Sequence, residues 1–201
     1  MIKIEKIPSD IGYAANSYLI ISNDEACVVD PSAPFNPEMI GDAKLKYILL
    51  THAHFDHFLE IESWVKNSSA TVIVSEKDRE ALADSHKNCY ALFMYKNYGY
   101  YGDVQTVKDG DTLSLGDEVI EIGEFPGHTP GSVIYVINTD AFVGDLAFEG
   151  GGYGRFYLPG GDVKSLVNSL KKLLSMDKEI TIYPGHGNST TIKEYSKYLQ
   201  M

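Results

Sequence analysis

The chain has 201 residues, of which 44% are hydrophobic and 22% charged, a balance that is typical of a globular protein and not of a disordered one. This length suits one well-buried domain and is short for two, so we expect residues 1–201 to form a single domain. The net charge of −11 disfavours nucleic acid as a partner, because the chain would repel a phosphate backbone.

Two further features of the sequence indicate where in the cell the protein is expected. Residues 1–6 lack an apolar core of signal-peptide length, and no apolar run approaches the length of a membrane span. The two cysteines, Cys27 and Cys89, cannot form a disulfide framework and have no metal-binding spacing. The sequence therefore predicts a cytoplasmic protein without a membrane partner, which disfavours a secreted, antibiotic-destroying enzyme.

The first half of the chain alternates strand-like and helix-like segments. Asn23-Asp24 separates the first two apolar runs, as in a hairpin. In chain order, the patterns predict strands at residues 16–22, 25–30, 47–50 and 71–74, and helices at 58–65 and 76–83, the latter opened by Ser75. This alternation is typical of the α/β class.

Residues 88–103 do not fit this alternation. The segment is rich in tyrosine, and Asn97, Gly99 and Gly102 interrupt any long regular element. Aromatic side chains with polar tips suit a substrate lid or a contact between copies of the chain, and they suit core filling nearly as well. A homo-oligomer formed through this segment is one prediction.

The second half of the chain becomes rich in strands. Apolar residues at helical spacing, with Asp162 as N-cap, make residues 162–176 the clearest helix. The other predicted elements are strands at residues 118–122, 132–138, 141–143 and 180–183, and a last helix at 191–199.

Four side chains that can bind a metal follow the 47–50 run, within the stretch THAHFDH at residues 51–57. His52 and His54 can reach one ion from the same side of an extended segment. Asp56 and His57 lie past the bend and face elsewhere. One loop can therefore serve two ions.

Two more histidines and an aspartate also follow apolar runs. His128 and His186 lie in turns rich in glycine and proline, PGHTPG and YPGHG, which hold a side chain rigidly at the tip of the turn. Asp145 follows its run in the same manner, and only His86 is left unassigned. A single such histidine is more commonly a surface or core residue, but five of them together favour a metal site.

The order of these motifs, HxHxDH at residues 52–57 and then His128, Asp145 and His186, resembles that of the metallo-β-lactamase superfamily across essentially the whole chain. The closest pattern is that of its glyoxalase II-like hydrolases, in their shorter single-domain form. The resemblance implies an αββα sandwich, in which helices flank two β-sheets and the site lies at one sheet edge.

The resemblance also implies the ligands of two divalent ions, with zinc as the expected metal and iron or manganese as alternatives. The ligands divide into a first triad of His52, His54 and His128, a second triad of Asp56, His57 and His186, and a bridging Asp145. Asp56 and Asp145 are also the candidate catalytic residues. A hydroxide held between the ions would attack the acyl carbonyl of a small thioester.

Asp30 is the candidate supporting residue, because it ends a strand at the same edge as the histidine loop in the family layout. Its carboxylate is predicted to fix the tautomer of a ligating histidine. An equally favoured interpretation is that the Asp30 side chain caps a turn or a helix.

The substrate prediction depends on residues 152–157, GYGRFY. In relatives of glyoxalase II, a similar loop follows the bridging aspartate and helps to hold glutathione, and Arg155 and Tyr157 match its basic and tyrosine positions. Arg155 is also read as a surface salt-bridge partner. Because only fifteen residues follow His186, the further glutathione contacts of a C-terminal helical domain are not expected. The predicted activity is hydrolysis of S-acylglutathione-like or related small thioesters.

Three alternatives stay open. A persulfide dioxygenase with a single iron retains much of the same metal motif, although its loop usually reads Gly-Arg-Thr-Asp where this chain has Phe156-Tyr157. A lactonase commonly has a tyrosine three positions after the bridging aspartate, where this chain has Phe148. A metal-binding module without catalytic activity is the third.

Overall fold

A computed structural model describes residues 2–199. Its first sheet contains, in spatial order, β1 (Ile2–Ile7), β2 (Ser17–Ser22), β3 (Glu25–Val29), β4 (Lys44–Leu49), β5 (Thr71–Ser75) and β6 (Gln105–Val107). The first two pairings are antiparallel, and those from β3 to β6 are parallel.

The second sheet is antiparallel except for one parallel pair. Its strands in chain order are β7 (Thr112–Leu115), β8 (Glu118–Glu124), β9 (Val133–Ile137), β10 (Asp140–Gly144), β11 (Thr181–Pro184) and β12 (Thr190–Thr191). They lie in the spatial order β12-β11-β10-β9-β8-β7, and β10 and β11 are the parallel pair.

The helices are short, apart from one. They are α1 (Ile61–Lys66), α2 (Tyr90–Met94), α3 (Val163–Leu174) and α4 (Ile192–Ser196), with 3-10 turns at Pro37–Met39, Phe55–His57, Arg79–Ala83 and Glu149–Gly151. No helix within residues 2–199 is long and apolar enough to cross a membrane.

The side chains divide into three apolar layers. In β2, Tyr18 and Ile20 join the layer between the sheets, while Leu19 packs on the outer face of the first sheet with Trp64 of α1. Leu166 of α3 belongs to the third layer, which covers the outer face of the second sheet. Strands buried on both faces read as continuous apolar runs, which explains their pattern in the sequence. The predicted αββα sandwich is confirmed.

Two helix predictions need correction. The helix predicted at residues 58–65 begins only at Ile61. Before it, Phe55–His57 in the loop of predicted metal ligands form a 3-10 turn. Residues 79–83 form a 3-10 helix, where we predicted an α-helix over 76–83 opened by Ser75. The side chain of Asp78 makes no capping hydrogen bond at the start of the 3-10 helix, because its carboxylate accepts hydrogen bonds from Ala53, Thr129 and Gly131 instead. These distant contacts override the local propensity.

The edge strand β1 and the short strands β6, β7 and β12 were not predicted. In β1, which has the sequence IKIEKI, half of the residues are charged and Ile7 is the one buried residue of the strand. Such strands bury little surface and carry a weak apolar signal, so pairing with a neighbour decides their conformation.

The tyrosine-rich segment 88–103 has mixed surroundings. Tyr100 is buried, and Tyr98 stacks on Phe58 with ring centroids 5.5 Å apart. Tyr95 and Tyr101 are exposed, at 90% and 78%. Core filling therefore accounts for part of the segment only. A contact between copies of the chain through the exposed part stays a prediction.

Candidate metal centre and cavity

The predicted ligands lie in loops that follow strands. Residues 51–57 come after β4, Asp145 after β10 and His186 after β11, while His128 lies in the turn between β8 and β9. The two sheets are stacked, so these loops meet at one edge of the sandwich. The structure brings all seven predicted ligands together there.

Donor atoms within the cluster form overlapping groups. In each group, one ligand atom from every residue lies within 4.8 Å of the others. The groups are His52, His54 and His128; His52, His57 and Asp145; and Asp56, His57 and His186. The first and last coincide with the two predicted triads.

Asp145 lies between the triads. Its Oδ1 is 3.3 Å from His57 Nε2 and 3.7 Å from His186 Nε2, which belong to the second triad. Its Oδ2 is 3.4 Å from His128 Nε2 of the first triad. Each carboxylate oxygen thus faces a different triad, an arrangement that suits a bridging ligand.

Hydrogen bonds on the far side of three rings set their tautomers. His57 Nδ1 donates to Asp30 Oδ2 at 2.8 Å, and His128 Nδ1 donates to the Arg155 carbonyl at 2.7 Å. The Thr51 hydroxyl donates to Asp30 Oδ2 and therefore accepts from His52 Nδ1, at 3.1 Å. The Nε2 atoms of all three rings are left facing the cluster, and in the neutral ring each carries the lone pair that a metal ligand requires.

Burial keeps most of these imidazoles neutral. It lowers the pKa of His52 well below the usual value, that of His54 to about 3, and that of His128 also downward. Burial also acts to lower the pKa of His57, but the carboxylates of Asp30 and Asp145 outweigh it and raise that pKa well above its usual value. His57 in turn holds the pKa of Asp145 low, although burial of the carboxyl acts to raise it.

Asp78 is a functional candidate that the sequence did not reveal. It is buried, and its Oδ2 accepts from the Ala53 amide at 3.0 Å and the Thr129 hydroxyl at 2.7 Å. Its Oδ1 accepts from the Gly131 amide at 2.8 Å. Ala53 lies between two ligands, and Thr129 follows a third. Asp78 therefore ties the two histidine loops of the first triad together.

A cavity of about 640 Å³ opens onto the cluster, which is within the usual range for a small-molecule site. The lining residues outside the predicted ligand set are mostly apolar or aromatic. They are Tyr13, Phe55, Cys89, Phe93, Met94, Phe148, Tyr153, Gly154, Arg155 and Leu158. Residues 89, 93 and 94 come from the segment that we considered as a lid, so that part of it lines the cavity.

The two predicted substrate residues differ in position. Arg155 lines the cavity and makes no salt bridge with any side chain of residues 2–199, so the salt-bridge reading is not supported there. Tyr157 is 71% exposed and is not among the lining residues. Its role in binding stays a prediction. His86 is exposed and lies outside the cluster.

Comparisons with known proteins agree with this arrangement. A family model described as the metallo-β-lactamase superfamily matches residues 11–186. The probable metallo-hydrolase YqgX of Bacillus subtilis is 33% identical to this chain, and the alignment covers 89% of this chain and 87% of the relative. The hydroxyacylglutathione hydrolase GloC of Haemophilus influenzae is 32% identical, covering 75% of this chain and 73% of the relative.

Among solved structures, the chain is similar to that of BLEG-1, a B3 metallo-β-lactamase. The TM-score is 0.86 at 28% identity, and the superposition covers 97% of both chains. The fold and the His/Asp cluster together indicate a binuclear metal site.

Proposed function

The chain belongs to the metallo-β-lactamase superfamily, and from this premise we propose that it hydrolyses S-acylglutathione-like or related small thioesters at a pair of divalent metal ions. The observation that carries the proposal is the position of Asp145 between two triads of donor atoms, at the base of an open cavity. A site closed on all sides by protein ligands would suit a structural ion instead.

The donor set fits such ions. Among residues 2–199, five buried side-chain atoms have no hydrogen-bond partner. One is Ser22 Oγ, and the other four belong to the predicted ligands, namely His52 Nε2, His54 Nε2, His57 Nε2 and Asp145 Oδ1. Leaving each of them unsatisfied costs about 1–3 kcal/mol, so their clustering favours a ligand that engages several at once. Imidazole and carboxylate suit zinc, iron and manganese, and zinc is our first choice. The first triad would hold one ion, the second triad the other, and Asp145 both.

When bound, divalent ions supply water with a pKa lowered from about 15.7 to about 7 and polarise the carbonyl oxygen of the substrate. The cavity wall supplies no obvious covalent nucleophile. Its residues within 2–199 include no serine, and burial raises the pKa of the thiol among them, that of Cys89, to about 11. In the overall reaction, the acyl carbon gains the oxygen of water, the C–S bond breaks, and the products are a carboxylate and a thiol.

The test is hydrolysis of S-D-lactoylglutathione and of simple thioesters by purified protein of known metal content, with His54→Ala as the variant. We expect turnover by the wild type and at least about a hundredfold loss in the variant, which lacks a ligand of the first triad. Oxygen consumption with glutathione persulfide by a protein that holds one iron would favour the dioxygenase alternative. Turnover of lactones alone would favour the lactonase.

A β-lactamase is a second candidate, because the likeness to BLEG-1 extends over 97% of both chains. The same preparation should therefore be assayed with a chromogenic cephalosporin. Turnover of the cephalosporin without turnover of any thioester would replace the first proposal by this one.

A further inference from the structure

We propose that the preferred substrate carries a single carboxylate and an apolar, aryl-sized group, the carboxylate paired with Arg155 and the apolar group packed on an aromatic wall. The aromatic wall consists of Tyr13, Phe55 and Phe93. This inference rests on the proposed thioester hydrolysis and narrows its substrate.

The aromatic wall is a continuous surface. The ring centroids of Tyr13 and Phe55 are 6.0 Å apart, and those of Phe55 and Phe93 are 6.2 Å apart. Tyr13 and Phe93 are 48% and 42% exposed, although both line a cavity. Aromatic rings left exposed at a concave site favour an apolar ligand that covers them.

The rest of the cavity has the same character. Met94, Phe148 and Leu158 add apolar surface on other sides, and they come from three separate segments of the chain. Outside the predicted ligand set, the lining residues within 2–199 include no amide side chain, no serine and no carboxylate. A ligand rich in polar groups would lose hydrogen bonds to water and find few partners here.

Within the described residues 2–199, Arg155 is the only lysine or arginine that lines the cavity. Its guanidinium carbon lies 5.7 Å from the centroid of the Phe93 ring, so the cation is adjacent to the aromatic wall. The Arg155 carbonyl accepts from His128 Nδ1 at 2.7 Å, which attaches this residue to the metal cluster. Besides the proposed metal ions, the cavity wall therefore offers one cationic side chain, which is adjacent to the apolar surface and belongs to a residue whose carbonyl contacts the metal cluster.

Glutathione matches this chemistry poorly. Its thioesters carry two carboxylates, one ammonium group and two peptide bonds. In the part of the chain that the structure describes, the cavity has one arginine for the carboxylates. The carboxylates that line it there, Asp56 and Asp145, are predicted metal ligands. The second carboxylate and the ammonium group would therefore lose water without gaining a charged side chain of the cavity wall as a partner, at a cost to affinity.

The experiment compares one acyl group on three thiols. The compounds are phenylacetyl thioesters. The ester of 3-mercaptopropionate carries one carboxylate, the ester of 2-mercaptoethanol carries no charge, and the ester of glutathione carries two carboxylates and an ammonium group. Each kcat/KM is divided by the rate of alkaline hydrolysis of the same ester, which removes differences in intrinsic reactivity. We expect the 3-mercaptopropionate ester to exceed both others by about tenfold or more, as one charge-assisted contact allows.

Matched variants test the two parts of the site. Arg155→Gln should abolish the preference for 3-mercaptopropionate over 2-mercaptoethanol, while Arg79→Gln, at the chain's only other arginine, should retain it. Phe93→Ala should reduce the ratio of phenylacetyl to acetyl turnover several-fold. Tyr101→Ala removes an exposed ring outside the cavity and should leave that ratio unchanged.

A binding measurement separates this inference from the proposed function. The phenethyl thioether of 3-mercaptopropionate cannot be hydrolysed, and its Kd for the metal-loaded protein is measured by calorimetry. We expect Arg155→Gln to weaken binding about tenfold. The same Kd in both proteins would overturn the inference even if thioesters are hydrolysed. Arg155-dependent binding without thioester turnover would support the site and contradict the proposed reaction.

Discussion

The Asp30 carboxylate accepts hydrogen bonds from the Thr51 amide, the Thr51 hydroxyl and His57 Nδ1, each at 2.8 Å. The backbone of Asp30 has φ of 51°, in the left-handed region, where few non-glycine residues lie. Backbone strain at a buried residue with three hydrogen bonds is compatible with a functional role. The geometry supports the proposed role of fixing a histidine tautomer over that of a helix cap.

The Asp30→Asn variant tests this role. The new amide can accept only at its oxygen, so its NH2 group would face a donor, either the Thr51 amide or the Thr51 hydroxyl and His57 Nδ1, and the ring of His57 would be held less firmly. We expect metal affinity to fall about 10–100-fold, measured by competition with a chromophoric chelator. Asp42→Asn, at an exposed aspartate, is the control. Unchanged affinity in Asp30→Asn would contradict the role.

At the scale of elements, a third segment of the chain connects the loop at residues 51–57 with the turn that carries His128. Asp78 follows β5 and contacts residues that are 25, 51 and 53 positions away in the chain. It is thus a positioning residue, which acts through the loops and not on a substrate.

Asp78→Asn should therefore affect the metal site at a distance. The amide can accept only at its oxygen, so at least one backbone amide loses its acceptor, at a cost of about 1–3 kcal/mol in the free energy of unfolding. We also expect weaker metal binding. Denaturant unfolding and metal titration measure the two effects. A loss of stability with unchanged metal affinity would mean that Asp78 serves the fold alone.

At the N-terminus of α3, we expect a substitution to change stability and leave the metal site unaffected. Asp162 Oδ1 accepts from the Ser165 amide at 2.7 Å, so Asp162→Ala should lower the free energy of unfolding by about 1 kcal/mol. The side chain lies outside the metal cluster, and we expect the metal content to stay unchanged. Lys164→Ala, at an exposed position of the same turn, serves as the control in urea unfolding. Loss of metal from Asp162→Ala would contradict the expectation that this cap affects stability alone.

At the scale of the whole molecule, the cluster joins loops from both sheets, while three apolar layers hold the sandwich together. Metal ions that bind only the folded state should stabilise it, by about 2.7 kcal/mol at a free concentration of 100 times Kd. The secondary structure should not depend on them, because it is held by the apolar layers.

Removal of the metal should accordingly lower Tm and preserve the fold. For a chain of this size we expect a decrease of about 5–10 °C after chelation, with an unchanged far-UV circular dichroism spectrum. His54→Ala should show a smaller decrease on chelation, because one triad is incomplete. A wild-type Tm that does not change on chelation would argue against a resident metal.

Much of the architecture could be predicted from the sequence. Strands buried on both faces produce apolar runs, and α3 produces a helical period with a capping aspartate, because these patterns report local geometry and burial together. Paired donors in a loop and histidines in rigid turns similarly indicated which side chains would meet. The residue patterns by themselves thus predicted the α/β class and the set of residues gathered at one edge, whereas the two-sheet sandwich was predicted from the resemblance of the motif order to the metallo-β-lactamase superfamily.

Only the tertiary structure decided how those residues are arranged. It placed one oxygen of Asp145 toward each triad and gave Asp78 its three distant partners. It also placed Arg155 beside an aromatic wall, without a salt bridge to any side chain of residues 2–199. It also divided the tyrosines of residues 88–103 between core and surface. These outcomes depend on distances between segments far apart in the chain, which a local pattern of residue types does not encode.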